Sequence, residues 1–277
     1  MTLEPGLYVT ATPIGNLKDI TFRAVDALKA ADLILCEDTR QTQKLCRAYG
    51  VKTALQPYHD HNGARVRPEI LAKLEDGAAI CLVSDAGTPL ISDPGYKLVR
   101  EARDRGIPVF SLPGPSAGIA ALACAGAPSD QFFFAGFPPA KKLARDNFLA
   151  ALADLNATLL FYETGPRLAD SLAAMKAAYG DRKAAVAREL TKLHEEVVEG
   201  SLSSLAERYR DGTAKGEIVV IVHPPTAAAA SQEDLEEFLK SALTRLSVKD
   251  AAAAAAETLG APKKRAYEMA LQLKDRA

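Results

Sequence analysis

The 277-residue sequence has no tryptophan, only four histidines and only four cysteines. The cysteines are dispersed along the chain at Cys36, Cys46, Cys81 and Cys124. No C-x-x-C pair and no cysteine/histidine spacing of a zinc site is present. We therefore interpret the cysteines as buried free thiols of a reducing compartment. His59 and His61 could hold a metal ion, but no third ligand is near them in the sequence, so no metal site is predicted.

The sequence also lacks long hydrophobic runs and an excess of charge of either sign. No apolar run approaches the ~20 residues of a membrane span, and residues 1–5 lack the basic and apolar regions of a signal peptide. We therefore expect a cytoplasmic protein without a membrane partner. With a net charge of −1, the chain as a whole does not attract polyanions. Any nucleic-acid contact must therefore use local basic patches. The candidates are Lys141, Lys142, Arg145, Lys263, Lys264 and Arg265.

Apolar runs alternate with helical patterns about every fifteen residues as far as residue 112, which predicts βαβ units and a mainly parallel sheet. Further apolar strands between residues 132 and 222 predict a second α/β domain. Beyond Pro224 and Pro225, capping-box patterns predict a small helical module. The fold class is α/β, with domains predicted at residues 1–115, 116–225 and 226–277.

Three loops rich in glycine, proline and small polar residues follow predicted strands, at residues 10–16, 84–95 and 112–118. Ligands of α/β proteins bind at the carboxyl ends of strands, and glycine lets a backbone approach a ligand closely. We therefore predict that the three loops face one pocket.

Two other site hypotheses have less support. Gly114 to Gly118 matches G-x-S-x-G between a strand and a helix, the setting of a serine-hydrolase nucleophile, and His194 or His223 could complete a triad. No HGGG-type loop stands upstream, however, so a hydrolase with nucleophilic Ser116 is not preferred. Residues 12–16 are neither G-x-G-x-x-G nor a P-loop, so nucleotide-phosphate binding has no motif.

Motifs along almost the whole chain resemble those of one family. They are A-T-P-I-G-N-L at 11–17, E-D-T-R at 37–40, H-D-H-N at 59–62, residues 83–95, L-P-G-P-S at 112–116, F-Y-E at 161–163 and A-R-E-L-T-K at 187–192. In this order they resemble the bacterial ribosomal RNA small subunit methyltransferase I family, within the tetrapyrrole methylase-like superfamily of S-adenosylmethionine-dependent methyltransferases.

The resemblance implies two α/β domains with S-adenosylmethionine in the cleft between them, a homodimer, and 2′-O-methylation of a cytidine in 16S rRNA near the decoding site. The RNA partner would be 16S rRNA or the 30S subunit. The residues that match the family's cofactor-contact regions are Pro13, Asp85, Gly87, Thr88, Leu90, Ile91, Ser92, Ser116, Ala117, Tyr162, Ala187 and Arg188.

Methyl transfer to a ribose hydroxyl requires alignment of the reacting atoms and removal of a proton. The candidate bases are Asp38, His61 and Glu163, with Asp38 first because it ends a predicted strand beside Arg40. Arg40 and Arg188 would hold an RNA phosphate or the cofactor carboxylate. The resemblance assigns Asp85 and Asp93 to loop shaping and the cofactor side. Two alternatives remain open: C-methylation of a tetrapyrrole precursor, and a cofactor-binding regulator without catalysis.

Overall fold

The computed structural model describes residues 2–212, 214–225 and 232–275. The chain divides into two compact units. The first contains residues 1–151 and 157–223, and the second contains residues 152–156 and the C-terminal helices.

The first sheet is entirely parallel, as the alternation of strands and helices predicts. Its strands are β1 (Gly6–Thr10), β2 (Leu33–Cys36), β3 (Leu55–Pro57), β4 (Ala79–Val83) and β5 (Val109–Leu112), in the order β3-β2-β4-β1-β5. All five residues of β4 are buried, because both faces of the sheet are covered. The carboxyl ends of these strands meet at one edge, which brings the motif loops together.

Four helices follow these strands: α1 (Phe22–Ala30), α2 (Thr39–Tyr49), α3 (Asp60–Glu75) and α4 (Tyr96–Asp104). A single turn, Leu17–Asp19, precedes α1. Gly50 ends α2 with a left-handed φ of 65°, as the sequence predicts. Asn62 orients the start of α3, because its Oδ1 accepts the His59 N–H at 2.9 Å and its amide donates to the Pro57 carbonyl at 2.9 Å.

The second sheet is mixed, in the order β6-β7-β10-β8-β9, and only its β6–β7 pair is parallel. The elements from residue 117 onward are α5 (Ala117–Cys124), β6 (Phe132–Gly136), α6 (Lys142–Ala150), β7 (Thr158–Thr164), α7 (Gly165–Tyr179), β8 (Lys183–Arg188), β9 (Glu196–Ser201), α8 (Leu202–Arg208) and β10 (Glu217–Val222). The short β8–β9 connection requires antiparallel pairing, since a parallel crossover needs a dozen or more residues.

Three details of this half differ from the sequence analysis. The pattern indicated neither α6 nor α8, and α7 begins at Gly165, with Pro166 in its first turn, where proline is favoured. Cys124 is exposed at the end of α5, so only three of the four cysteines are buried thiols. Arg145 lies in the buried face of α6 and is 7% exposed, so its side chain is not available for the predicted RNA contact.

The second unit contains α9 (Gln232–Leu243), α10 (Val248–Leu259) and α11 (Lys263–Asp275). Leu235 and Leu239 are fully buried against a face of alanines from α10 and α11. Ser247 caps α10 as predicted, because its hydroxyl accepts the Asp250 N–H at 3.2 Å; the capping box predicted at Ser231 lies outside the described residues. In the part of the chain described, no helix is long and apolar enough to cross a bilayer.

Candidate active site

Hydrogen bonds join the three glycine-rich loops into one wall. The Thr12 N–H donates to the Gly87 carbonyl at 2.8 Å, and the Gly87 N–H donates to the Thr12 carbonyl at 3.0 Å. The Thr88 hydroxyl donates to the Pro115 carbonyl at 3.1 Å. All three loops border one cavity, as predicted.

The cavity lies between this wall and the second sheet, from which Tyr162, Ala187 and Val219 reach its lining, together with Leu190 from the loop after β8. Nine of the predicted cofactor residues line it: Asp85, Gly87, Thr88, Ile91, Ser92, Ser116, Ala117, Tyr162 and Ala187.

The other three predicted cofactor residues lie elsewhere. Leu90 belongs to the wall loop but does not line the cavity, and Arg188 is paired with Glu196 at 2.9 Å. Pro13 lines a neighbouring depression, which we call the side groove. Its lining includes Pro13, Leu17, Gln41, Thr42, Lys44 and Asp85.

Several residues that line the cavity were not predicted from the sequence. Ile14 and Leu190 belong to the motifs at 11–17 and 187–192, so those motifs could have predicted that they line the cavity. Phe137 packs edge-on against Tyr162, with ring centroids 5.5 Å apart. It and Val219 carry no sequence signal beyond their hydrophobicity.

The wall loop of residues 84–95 holds unusual backbone conformations beside the cavity. Leu90 and Ser92 have φ values of 73° and 64°, and Gly87 has 84°. Left-handed conformations cost free energy in residues other than glycine and cluster at functional sites. Backbone N–H and carbonyl groups in such conformations do not pair in a regular hydrogen-bond ladder, so a ligand can reach them.

Carboxylates dominate the electrostatics of the cavity. Burial, followed by the charges of Glu37 and Asp85, raises the pKa of Asp93 to about 7. Burial also raises the pKa of Asp85 and of Glu37. Asp93 has no ion-pair partner among the described residues, so a cationic ligand would relieve the repulsion within this cluster.

Two loops from opposite halves of the first unit meet beside the cavity. The Asn16 N–H donates to the Thr191 hydroxyl at 3.1 Å. A Cβ on Gly15 would lie 2.6 Å from Cγ of Lys192, so only glycine permits this approach. The Lys192 ammonium is held by Glu189 at 2.8 Å and by Glu217 at 3.1 Å.

The carboxylate ranked first as the base, Asp38, is engaged elsewhere. It caps α2 by accepting the Arg40 N–H at 2.8 Å, and it pairs with the Arg40 guanidinium at 2.6 Å. These hydrogen bonds lower the pKa of Asp38 to about 2, so it is a weak proton acceptor. Neither Asp38 nor Arg40 lines the cavity or the side groove.

Glu163 borders the cavity, but its carboxylate is buried in a polar network of β7 and α7. It accepts the Thr164 N–H at 2.9 Å and the Ser171 hydroxyl, and it lies 3.4 Å from the Arg167 guanidinium. Its side chain is 0% exposed, so a ribose cannot reach it in this conformation. His61 is exposed on α3 and lines neither depression.

The serine-hydrolase and metal-site hypotheses gain no support from the geometry. Ser116 is the N-cap residue of α5 and lines the cavity, whereas His194 and His223 do not line it. No group of three or more potential ligands that could hold a metal ion occurs among the described residues.

The basic residues predicted to contact RNA are divided between the two units. Lys141 and Lys142 are exposed at the start of α6, where Lys142 pairs with Asp146 at 2.7 Å. In the second unit, Lys263, Lys264 and Arg265 are exposed in the first turn of α11.

Comparison with solved structures supports the fold. A diphthine synthase superposes with a TM-score of 0.62 at 16% sequence identity, covering 78% of this chain and 89% of that chain. A cobalt precorrin-4 methyltransferase of cobalamin biosynthesis gives a TM-score of 0.58 at 16% identity, covering 78% and 94%.

Sequence comparison is more specific. The family model described as Tetrapyrrole (Corrin/Porphyrin) Methylases matches residues 6–206, and the model described as the RsmI C-terminal HTH domain matches residues 229–274. A ribosomal RNA small subunit methyltransferase I of Mesorhizobium japonicum is 50% identical over 99% of this chain and 94% of that protein. The protein of the same name from Escherichia coli O157:H7 is 45% identical over 96% and 94%. The chain therefore belongs to the ribosomal RNA small subunit methyltransferase I family, whose body is a tetrapyrrole methylase domain.

Proposed function

We propose that the protein transfers a methyl group from S-adenosylmethionine to the 2′-hydroxyl of a cytidine in 16S rRNA near the decoding site. The observation that carries this proposal is the cavity, which nine residues of the family's cofactor-contact motifs line together. The relatives that share those motifs over nearly their whole length are named as rRNA small subunit methyltransferases.

The chemistry of the lining fits this cofactor. Ile14, Leu190 and Val219 offer an apolar surface to an adenine ring. The N-terminus of α5, at Ser116 and Ala117, borders the cavity and suits a carboxylate. Asp93, whose pKa is raised to about 7 by burial and by neighbouring charges, suits the ammonium or sulfonium cation.

When bound, S-adenosylmethionine supplies an electrophilic methyl group on a sulfonium. The protein's own contribution is to position the reactants and exclude water. Tyr162 orients the start of α5, because its hydroxyl accepts the Gly118 N–H at 3.2 Å. The paired loops around Gly15 and Thr191 fix one wall of the cavity relative to the other. Alignment of this kind supplies much of the acceleration in a displacement reaction.

The RNA, the assembly state and the compartment belong to the same proposal. The target nucleotide must expose its ribose, which favours a single-stranded or splayed segment, and Lys141, Lys142 and the basic turn of α11 would contact its backbone. A homodimer is supported by Phe132 and Phe133, which are exposed on the edge strand β6, since uncovered apolar edges invite pairing. Cytoplasmic localisation follows from the ribosomal substrate.

The test is transfer of a tritiated methyl group from S-adenosylmethionine to 30S subunits that lack the modification, with the labelled nucleotide mapped. Label at the 2′-oxygen of one cytidine near the decoding site is the expected result. Label on another nucleotide, or on a base, would refute the proposed specificity. A parallel incubation with a porphyrinoid tests the alternative, since label in that compound would favour C-methylation of a tetrapyrrole. Cofactor binding without transfer to either substrate would favour a regulator.

A further inference from the structure

The side groove adjoins the cofactor cavity and shares part of its lining. Ile14, Asp85, Ala86 and Glu217 border both depressions. Of these four, Asp85 and Glu217 have side chains that can accept a proton, and Glu217 is engaged with Lys192 at 3.1 Å. Asp85 is therefore the acidic group at the common border that forms no ion pair with a described residue.

The chemistry of the side groove matches one nucleotide. Leu17, which is 46% exposed, and Leu45 give it apolar walls against which a base can stack. Lys44 donates to Gln41 at 2.8 Å but has no carboxylate partner among the described residues, so its charge is available for a phosphate.

A second observation points to a missing polar partner in the same groove. Thr42 is 4% exposed, and its hydroxyl makes no hydrogen bond of normal geometry to any described residue. It lies close enough to the Cys36 thiol to offset part of the rise that burial causes in that thiol's pKa. An unsatisfied buried hydroxyl costs free energy, and a nucleotide in the groove would supply its partner.

We propose that the side groove holds the target nucleotide and that Asp85, at its border with the cofactor cavity, accepts the proton of the ribose 2′-hydroxyl. The inference rests on the proposed function and adds the substrate subsite and the base. The hydroxyl oxygen forms its bond to the methyl carbon as the sulfur–carbon bond breaks, which leaves a neutral thioether. The hydroxyl proton passes to the Asp85 carboxylate and then to solvent, to which Asp85 is exposed.

The local structure prepares Asp85 for this role. Its Oδ1 accepts the Asp38 N–H at 3.1 Å, which fixes the carboxylate and leaves Oδ2 available. Partial burial raises the pKa of Asp85 from its ordinary value, whereas hydrogen bonds lower the pKa of Asp38, so Asp85 has the higher affinity for a proton.

The first test compares Asp85→Asn with the full-length wild-type protein on 30S subunits. Asparagine keeps the Oδ1 acceptor for Asp38 and removes only the basic oxygen. We expect the single-turnover rate to fall about 100-fold or more, with the dissociation constant of S-adenosylmethionine within threefold of wild type by calorimetry. The rise of the wild-type rate with pH should be absent in the variant. Asp26→Asn, on α1 away from both depressions, is the matched control and should be fully active.

The second test addresses the groove. Lys44→Gln should raise KM for 30S subunits about five- to tenfold without changing the dissociation constant of the cofactor, whereas Lys29→Gln on α1 should change neither. Thr42→Val should lower kcat/KM while changing the melting temperature little, because the hydroxyl makes no hydrogen bond of normal geometry with a described residue.

Several outcomes would overturn the inference. The first is a wild-type rate and pH profile in Asp85→Asn. The second is weaker cofactor binding in Lys44→Gln, which would assign the groove to the cofactor. The third is full activity of Thr42→Val with 30S subunits. In each of these cases the wild-type protein still methylates its cytidine, so the proposed function stands. Failure of the wild-type protein to label any cytidine in 30S subunits refutes both together.

Discussion

At the scale of single residues, Asp38 shows how local hydrogen bonds decide whether a carboxylate can act as a base. We predict that Asp38→Asn keeps more than half of the wild-type single-turnover rate, because a group with a pKa of about 2 accepts a proton poorly. Asp38→Ala should instead lower the melting temperature by a few degrees, since it removes the cap of α2. A 100-fold loss of rate in Asp38→Asn, with cofactor affinity intact, would return the role of base to this residue.

Glu163 is predicted to be a structural residue despite its place at the cavity wall. Removing one member of a buried, charged network costs roughly 3–5 kcal/mol, so Glu163→Ala should lower the thermal midpoint by several degrees. Ser171→Ala, which removes one donor to the same carboxylate, should lower it less. Differential scanning calorimetry measures both. A Glu163→Ala protein of wild-type stability that binds cofactor but does not transfer methyl would show a catalytic role instead.

Asp93 should make both cofactor affinity and stability depend on pH. Its pKa is raised from 3.8 to about 7 by burial and by Glu37 and Asp85, so the folded protein holds this proton more tightly than the unfolded chain. Its contribution to stability is therefore complete below pH 3.8 and is lost as the pH rises through 7. Without cofactor, the melting temperature should be lower at pH 8 than at pH 5.5.

The affinity for the cationic cofactor should change in the opposite direction, because only ionised Asp93 attracts a cation. We expect S-adenosylmethionine to bind about three- to tenfold more tightly at pH 8 than at pH 6. Asp93→Asn should flatten both profiles, as followed by calorimetry across this range. An unchanged pH dependence in the variant would assign it to Asp85, Glu37 or another group.

At the scale of elements, local patterns predicted the strands of the first sheet and their parallel pairing. Buried strands such as β4 are continuous apolar runs, and Gly50 marks the end of α2. The strand order β3-β2-β4-β1-β5 and the antiparallel pairs of the second sheet depend on contacts distant in the sequence. Helices α6 and α8 were missed. Helix α6 follows Pro138 and Pro139, which indicate a loop, and the seven residues of α8 give fewer than two turns of periodicity.

The site shows the same division. Motif loops predicted where the cavity lies, since strand ends of a parallel sheet share one edge. Side-chain partners were not predictable: Arg40 turns onto Asp38 and Arg188 onto Glu196, so neither is available to a ligand in the cavity. Burial of Arg145 likewise depends on how α6 packs, which periodicity over nine residues cannot reveal.

Gly15 is predicted to couple the two walls of the site. In Gly15→Ala the added methyl would meet Lys192 and Thr191 at 2.6 Å and 2.8 Å, so the loop must move and the Asn16–Thr191 hydrogen bond is lost. We expect at least a tenfold fall in kcat/KM for 30S subunits. Gly50→Ala is the control, because its added Cβ would meet nothing within 4 Å. It should lose about 1 kcal/mol of stability from its left-handed φ and keep its activity.

At the scale of the whole molecule, two compact units separate the candidate chemistry from a candidate RNA contact. The cavity and side groove belong to the unit that contains both sheets. In the other unit, residues 260–262 form a three-residue turn between α10 and α11, an arrangement typical of a helix-turn-helix. The first turn of the second helix of such a motif commonly contacts nucleic acid, and here that turn carries Lys263, Lys264 and Arg265.

This arrangement predicts that the α11 turn contributes to RNA binding through charge. Each phosphate contact to single-stranded RNA adds roughly 0.7 to the slope of log affinity against log salt concentration. Replacing Lys263, Lys264 and Arg265 by glutamine should therefore reduce the slope by about 2, as measured by fluorescence anisotropy with a 16S rRNA fragment between 50 and 300 mM salt. Cofactor affinity should not change, since these residues lie outside the unit that forms the cavity. The matched control is Lys29→Gln on α1, an exposed lysine that lines neither the cavity nor the side groove, and it should leave the slope unchanged. An unchanged slope in the triple variant would mean that the turn is only solvated, and that the RNA is held by the side groove and Lys141.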